Sequence, residues 1–494
     1  NSPVRGVTIE ALDGADNILE SSQTDATGQY SFEVDPNTQV RIRVKAEMVQ
    51  TAGTTWNVRV QDNTSNDALY VLDGALLSSG TVDSTRNLNA DAGWGTTSYT
   101  RPRVAPPFAI LDPIFDTLQE FQATVPGTAF PPAFFNWSVN NISASGERDD
   151  GEIGTSSYIG NGMIFILGEA NQDVDEYDEH VVVHEWGHYF EDQLSRSDSI
   201  GGAHSLGDRL DFRLAFSEGF GNAIAAVGND DPVYRDSGGT QQAGGFSFNI
   251  ENQPNVPNNG WFSETSVQEI IYDVFDTVDD TGDTVSLGLG AISAALTSTE
   301  YTQSPVFTTI FTFMDIVKAQ NPDSAAALDA LLIEQNINGT GPTGLGETNA
   351  GGFSPANSNI LPVYKVVTVN GPPVIVCSVD DAGGGNASDD FNNLGTRDFM
   401  TFSLATGGSV TLTAQIIAGM SSDTDVDPDF FVFNNGNAVA AGTSNPAQSQ
   451  TITETLPAGD YAIEFFDFDN LDETLDVDNP RDDGDSCYNF TITQ

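Results

Sequence analysis

A histidine pair four positions apart, His184 and His188, brackets Glu185 in the run His184-Glu185-Trp186-Gly187-His188. On a helix, positions i and i+4 share one face. Both imidazoles then reach a single ion from a rigid base, and Glu185 projects beside them toward the open side. Glu218 follows His188 by 30 positions, within Ser217-Glu218-Gly219-Phe220-Gly221-Asn222. A third protein ligand there leaves one tetrahedral position for water, which separates a catalytic metal centre from a closed structural one. The expected centre is Zn2+ on His184, His188 and Glu218, with Glu185 as the general base that takes the proton of the attacking water. The five-residue motif alone is short enough to arise by chance on a buried structural helix. What supports it is a chain with only 4 histidines, two of them at ligand spacing, and Glu218 downstream.

The pattern of His184, Glu185, His188 and Glu218 resembles the gluzincin metallopeptidases, the thermolysin-like group, over the middle of the chain. The resemblance implies an α+β zincin-like catalytic domain that hydrolyses internal peptide bonds of protein or peptide substrates. In that group an acidic residue follows the glutamate ligand by four positions. Asn222 stands there in this chain, so the hydrogen bond to a ligand imidazole is retained while its charge is lost. Gluzincins also pair extended substrate with an edge strand, a role that falls here on Met163, Ile164 and Phe165. Being apolar, that run equally suits a buried core strand.

The tetrahedral intermediate requires an electrophile besides the metal. Tyr272 is the first candidate, because it lies off the apolar stripe of its helix in line with Gln268 and Glu264; a tyrosine at the edge of a core has the same signature. His204, in the loop Gly201-Gly202-Ala203-His204, is the second, for the oxyanion or for substrate, against the plain alternative of a loop histidine. His180 shares the face of His184. Three histidines spread over eight residues cover about 12 Å of helix axis, too far for one ion, so His180 is expected at the helix surface or beside the ligands.

Positioning these groups falls to a helix over 175–194, with Asp175 as its cap and Asp178 adding charge at the positive end of the dipole. A second helix over 211–227 carries Glu218. A third, opened by Ser263, aligns Val267, Ile270, Ile271, Val274 and Phe275 on one stripe. Others are expected from 108 to 122, 286 to 297, 305 to 320 and 323 to 336, with a strand over 158–167. Residues 1–92 read as β, since Tyr30, Phe32 and Val34, then Val40, Ile42 and Val44, alternate with polar neighbours. With the turn Thr24-Asp25-Ala26-Thr27-Gly28 they resemble the small regulatory-like β-sandwich modules found beside carboxypeptidases and on bacterial surface proteins. Linkers rich in Gly, Pro, Asn or Ser are expected at 93–107 and 338–360, enclosing a catalytic domain at 108–337. Residues 361–494 form a second sandwich. Through Asp429-Phe430-Phe431-Val432-Phe433-Asn434 and Leu456-Pro457-Ala458-Gly459-Asp460-Tyr461 it resembles the prepeptidase C-terminal domain appended to secreted bacterial peptidases. The expected fold is thus multidomain, an α+β catalytic domain flanked by two all-β sandwiches.

A chain of 494 residues with 38% hydrophobic composition has length for two to four cores. The net charge of −54, from 17 basic and 71 acidic side chains, repels nucleic acids and anionic lipid and excludes them as partners. No stretch approaches the roughly 18 apolar residues of a membrane span. Cys377 and Cys487 are read as one disulfide, which places the chain in an oxidising, extracellular or cell-surface compartment. The chain starts at Asn1 without an initiator Met or signal-like segment and is expected to be a processed or trimmed form. Acidic clusters at Asp423, Asp425, Asp427 and Asp429, and at Asp467, Asp469, Asp472 and Asp476, raise the expectation of Ca2+ in loops, although none has EF-hand spacing. A surface or matrix protein, in which a zinc-binding but inactive domain serves adhesion or self-assembly, is the rival reading.

Overall fold

In the strand Gln39–Lys45, valine and isoleucine at alternate positions turn to one face and are buried, while Arg41, Arg43 and Lys45 face outward. This two-residue period builds most of the amino-terminal region. The computed structural model describes residues 2–253, 256–277, 284–353, 360–379, 390–420, 426–444, 448–471 and 485–494. Two compact units emerge, Asn1–Leu194 with Gly221–Ile250, and Ser195–Phe220 with Glu251–Gln494.

The first unit holds β1 (Thr8–Leu12), β2 (Ile18–Gln23), β3 (Gln39–Lys45), β4 (Glu47–Gln50), β5 (Trp56–Asp62), β6 (Ala68–Leu69), β7 (Val71–Asp73) and β8 (Leu77–Ser78), then α1 (Pro106–Thr124). After these come β9 (Ala133–Trp137), β10 (Ser157–Tyr158), β11 (Met163–Ile166), β12 (Gly168–Glu169), β13 (Asp173–Val174) and α2 (Glu179–Leu194). Helix α3 (Phe212–Asn229) is continuous across the division between the units, and β14 (Val233–Gly238) and β15 (Gly244–Asn249) follow it. Strands β2-β1-β3-β7 form one sheet, with β8 on β3; β10-β11-β9-β5-β4 form another, with β6 on β5; β12-β13-β14-β15 form a third.

The second of these sheets corrects the expected boundary at 93–107. Strand β5 pairs in parallel with β9, Val58 opposite Ala133 and Val60 opposite Phe135, so residues 1–92 do not close a sandwich of their own. Strands β4, β5 and β6 share one sheet with β9, β10 and β11.

The expected strand over 158–167 is a hairpin instead. Gly160, Asn161 and Gly162 all adopt positive φ, and a Cβ on Gly162 would fall 2.3 Å from the Pro132 carbonyl oxygen, so the chain turns there and only glycine fits. The expected helix start also moves. Asp175–Tyr177 is a single 3-10 turn and α2 begins at Glu179. Asp178, rather than Asp175, occupies the capping position, its carbonyl accepting from the Val182 N–H.

The second unit contains α4 (Glu264–Phe275), α5 (Gly288–Leu296), α6 (Thr299–Thr302), α7 (Ile310–Gln320) and α8 (Ala325–Glu334). Strands β16 (Lys365–Val366), β17 (Val374–Ser378), β18 (Arg397–Leu404), β19 (Gly408–Ile416), β20 (Pro428–Asn434), β21 (Asn437–Gly442), β22 (Ser449–Leu456), β23 (Gly459–Asp467) and β24 (Ser486–Thr493) complete it. Sheets β16-β18-β23-β20-β21 and β17-β24-β19-β22 enclose a shared core that includes Val376, Phe402, Leu412, Phe430, Ile463 and Tyr488. This is a β-sandwich, as expected for residues 361–494. Cys377 and Cys487 lie directly opposite in β17 and β24 and form the disulfide.

The expected linker at 338–360 is, over its described part, a built loop. The buried Glu347 carboxylate accepts the backbone N–H groups of Asn338, Gly339, Thr348 and Asn349, so this segment is organised around one anion and belongs to the same compact unit as α4 to α8 and the sandwich.

Candidate metal centre

Helix α2 is buried along almost its whole length, which makes it a stiff base for the histidine pair. Gly187 lies against Gly221 and Ile224 of α3, where a Cβ would come within 2.6 Å of the Ile224 Cγ2 atom, and a Cβ on Gly221 would meet the His184 ring at 2.8 Å. The two glycines therefore let the helices approach closely enough for α3 to press on a ligand ring.

The Nε2 atoms of His184 and His188 face each other at 3.0 Å. The Nδ1 of His184 lies 3.0 Å from Asn222 Oδ1, and that of His188 lies 3.6 Å from a carboxylate oxygen of the buried Glu191. With Asn222 Oδ1 accepting at its Nδ1, the His184 ring presents a lone pair from Nε2, and the Glu191 carboxylate favours the same tautomer of His188. Two lone pairs at that separation repel, and a cation shared between them removes the conflict. Glu218 lies on α3 one turn before Asn222, and donor atoms of His184, His188 and Glu218 all fall within 4.8 Å of one another. Two imidazoles and one carboxylate are the donor set of an open zinc site, so the residues present fit the ion.

Glu185 is buried beside them, and its Oε2 accepts the Tyr158 backbone N–H at 2.7 Å. His204 bridges two carboxylates, its Nε2 3.1 Å from Glu218 Oε2 and its Nδ1 2.7 Å from Glu264 Oε2. Burial works against a charged ring, yet Glu218 and Glu264 hold the imidazole well above its ordinary range. In this arrangement His204 bears on the orientation of Glu218.

Tyr272, the candidate oxyanion donor, is buried on α4 eight residues beyond Glu264, with its ring against Phe275. One other expectation is corrected. Met163, Ile164 and Phe165 are not at a sheet edge, because β11 is flanked by β9 on one side and β10 on the other; the edge is the two-residue strand Ser157–Tyr158. His180, buried rather than at the surface, has its Nε2 3.0 Å from the Asp231 carbonyl oxygen and its ring against Tyr234, in keeping with a place outside the ligand set.

Sequence reasoning gave no role to Tyr158, Glu191, Glu264 or Gly221. Glu191 was within reach of it, three residues after His188 on the same helix. Tyr158 and Glu264 come to the site through tertiary structure and leave no local signal. Of the acidic clusters expected to hold calcium, Asp423, Asp425, Asp472 and Asp476 lie outside the described residues.

Residues 147–332, fewer than half of the chain, match the family model described as the mycolysin C-terminal domain. The match includes His184, Glu185, His188 and Glu218, and relates this stretch to a protease family. No curated protein matches the chain. Among solved structures, the chain is similar to the prepeptidase C-terminal domain of a collagenase from Bacillus anthracis, at 14% identity over 26% of this chain and 95% of that one, with a TM-score of 0.17. It is also similar to CorA, a surface-associated copper-binding protein of Methylomicrobium album BG8, at 11% identity over 26% and 97%, with a TM-score of 0.17. A third is PliG, a periplasmic lysozyme inhibitor of Aeromonas hydrophila, at 15% identity over 26% and 97%, with a TM-score of 0.15. Likeness at these scores carries no inference about this chain. Among the described residues, no helix is long and apolar enough to cross a membrane.

Proposed function

We propose that this chain is a secreted zinc-dependent endopeptidase of the gluzincin kind. The observation that carries the reading is the convergence of His184, His188 and Glu218 donor atoms within 4.8 Å, on helices whose glycines permit it. The protease-family match over residues 147–332 supports it, as does the disulfide, which belongs to an oxidising compartment. The resemblance of residues 361–494 to the prepeptidase C-terminal domain belongs to the same reading.

Zinc, held by His184, His188 and Glu218, supplies a Lewis acid that acidifies water and polarises the scissile carbonyl. Glu185 takes the proton of the attacking water and hands it to the departing amine. The Tyr158 N–H occupies its Oε2, which leaves Oε1 to carry that proton. Asn222 holds the His184 ring in the tautomer whose Nε2 is a ligand, and His204 restrains Glu218.

The test is metal analysis together with cleavage of a casein-like substrate, with and without chelator, for the wild type and Glu185→Gln. The variant is expected to keep one zinc and lose cleavage. Unchanged cleavage by Glu185→Gln removes the proposed base, and a zinc-loaded wild type that cleaves nothing moves the reading to the adhesive or assembly role.

A further inference from the structure

Ahead of α2 lies a second group of acids that the proposed hydrolysis does not use. Asp173 opens β13, the second strand of the hairpin β12-β13, Asp175 opens the turn that leads into α2, and Asp236 lies on β14, the first strand after α3. One carboxylate oxygen from each falls within 4.8 Å of the others. Asp175 is only 3% exposed. Its Oδ2 accepts the Ser156 hydroxyl, whereas its Oδ1, like the Oδ1 of Asp173, is buried and meets no N–H or hydroxyl donor; the two carboxyls can bond each other only by sharing a proton.

Charge makes the arrangement more demanding. Among the described residues no ion pair involves Asp173, Asp175 or Asp236, and the groups acting on each of them include no lysine, arginine or histidine. Burial, and then the neighbouring aspartates, hold the Asp236 carboxyl up at about 7 and that of Asp175 well above its usual range. The next residue shows what this chain does elsewhere. Glu176 is equally buried, but Arg103 pairs with its Oε1 and the Trp137 indole donates to its Oε2. A buried carboxylate without such a partner costs several kcal/mol, so Asp175, with two half-buried carboxylates beside it, calls for a cation. Oxygen-only donors select a hard ion, and oxygens up to about 5 Å apart suit metal-oxygen distances of about 2.3 to 2.6 Å.

We propose that Asp173, Asp175 and Asp236 form a binding site for a divalent calcium-class cation, which ties the segment entering α2 to the strand leaving α3. The site does not depend on the zinc reading, since none of its ligands is a zinc ligand. Its consequence is mechanical: the ion joins the two ends of the helix pair that carries His184 and Asn222.

The experiment uses the full chain, treated first with a chelator, and follows thermal unfolding as Ca2+ or Mg2+ alone is added. The wild type is expected to gain on the order of 5 °C with Ca2+ and distinctly less with Mg2+. Asp175→Asn and Asp236→Asn are expected to lose that gain. Both should melt above the wild type in chelator, where each removes a buried like charge, and below it in Ca2+. This reversal of order separates a cation site from a merely structural effect. No Ca2+ response in the wild type overturns the proposal, because the acids are then satisfied by protons. A gain that persists in both variants overturns it by placing the ion elsewhere on the acidic surface, and an equal gain with Mg2+ overturns the calcium assignment.

Discussion

The helix pair α2 and α3 and the hairpin just before it both gather buried donors, and they balance charge in opposite ways. At the helices the donors are two imidazoles and one carboxylate, and each is steadied from behind: His184 by Asn222, His188 by Glu191, Glu218 by His204. At the hairpin all the donors are carboxylates, and among the described residues no basic side chain acts on them. Mixed nitrogen and oxygen donors around a supported scaffold suit a borderline ion such as zinc, while bare oxygens suit a hard one. Burial alone therefore says little about what a cluster does. The identity of the groups behind the donors decides it.

The largest test of this contrast is Arg103→Met. It leaves Glu176 buried without its guanidinium and turns it into a neighbour resembling Asp175. Removing one partner of a buried ion pair costs about 3 to 5 kcal/mol, so the variant should lose that much by urea unfolding. A loss below about 1 kcal/mol would mean that Glu176 is held chiefly by Trp137, and the distinction between adjacent residues 175 and 176 would fail.

On the helix side, Glu218→Ala removes a donor outright. Its zinc affinity should fall by more than about 100-fold, beyond what loss of a supporting group produces, as measured by competition with a chromogenic chelator. Full occupancy at wild-type affinity would place the third ligand elsewhere. Asn222→Ala removes only the support behind His184. A drop of about 10- to 100-fold is expected, with Asn222→Asp restoring affinity because a carboxylate also accepts from Nδ1. An alanine variant indistinguishable from wild type would show that the ring is held by helix packing at Gly221 alone.

The two regions also differ in how plainly the sequence announces them. His184 and His188 are one turn apart on one helix, so local periodicity suffices to pair them, and α2 and α3 could be drawn to within a few residues from their apolar spacing. Glu218 follows from the same logic. Asp173, Asp175 and Asp236 lie 63 residues apart at their extremes, with Asp236 brought in by the pairing of β13 with β14, and composition hides them among 71 acidic residues. Asp175 was even expected to cap α2, because a helix start and an acid ahead of it look alike in sequence. The boundary at 93–107 failed for a related reason: alternation marks strands but not their partners, and the parallel pairing of β5 with β9 spans it. The sandwich over 361–494 was easier to place, since among the described residues its strands pair with one another.

The smallest effect separates charge from burial within the sandwich. Glu464 and Asp429 sit in neighbouring strands β23 and β20. Burial opposes ionisation of Glu464, but Arg213 and Arg397 hold it down at about 2. Asp429 has no such partner among the described residues, and burial, then Asp427 and Asp467, push it up to about 7. Below the ordinary value of 3.8, Asp429 is protonated whether the chain is folded or not. As pH rises from there to about 7, the unfolded chain gives up this proton and the folded chain keeps it, so stability declines across that window and levels off above it. Asp429→Asn removes the decline. In chelator, its unfolding free energy from urea denaturation should exceed the wild type's at pH 8 by on the order of 1 kcal/mol and match it near pH 4. The contribution of Glu464 is complete above pH 4.5 and is lost only toward pH 2, so it does not disturb this comparison. A difference between variant and wild type that is the same at pH 4 and pH 8 would mean that Asp429 ionises normally, and that a buried acid in this chain does not need a cation to keep its charge.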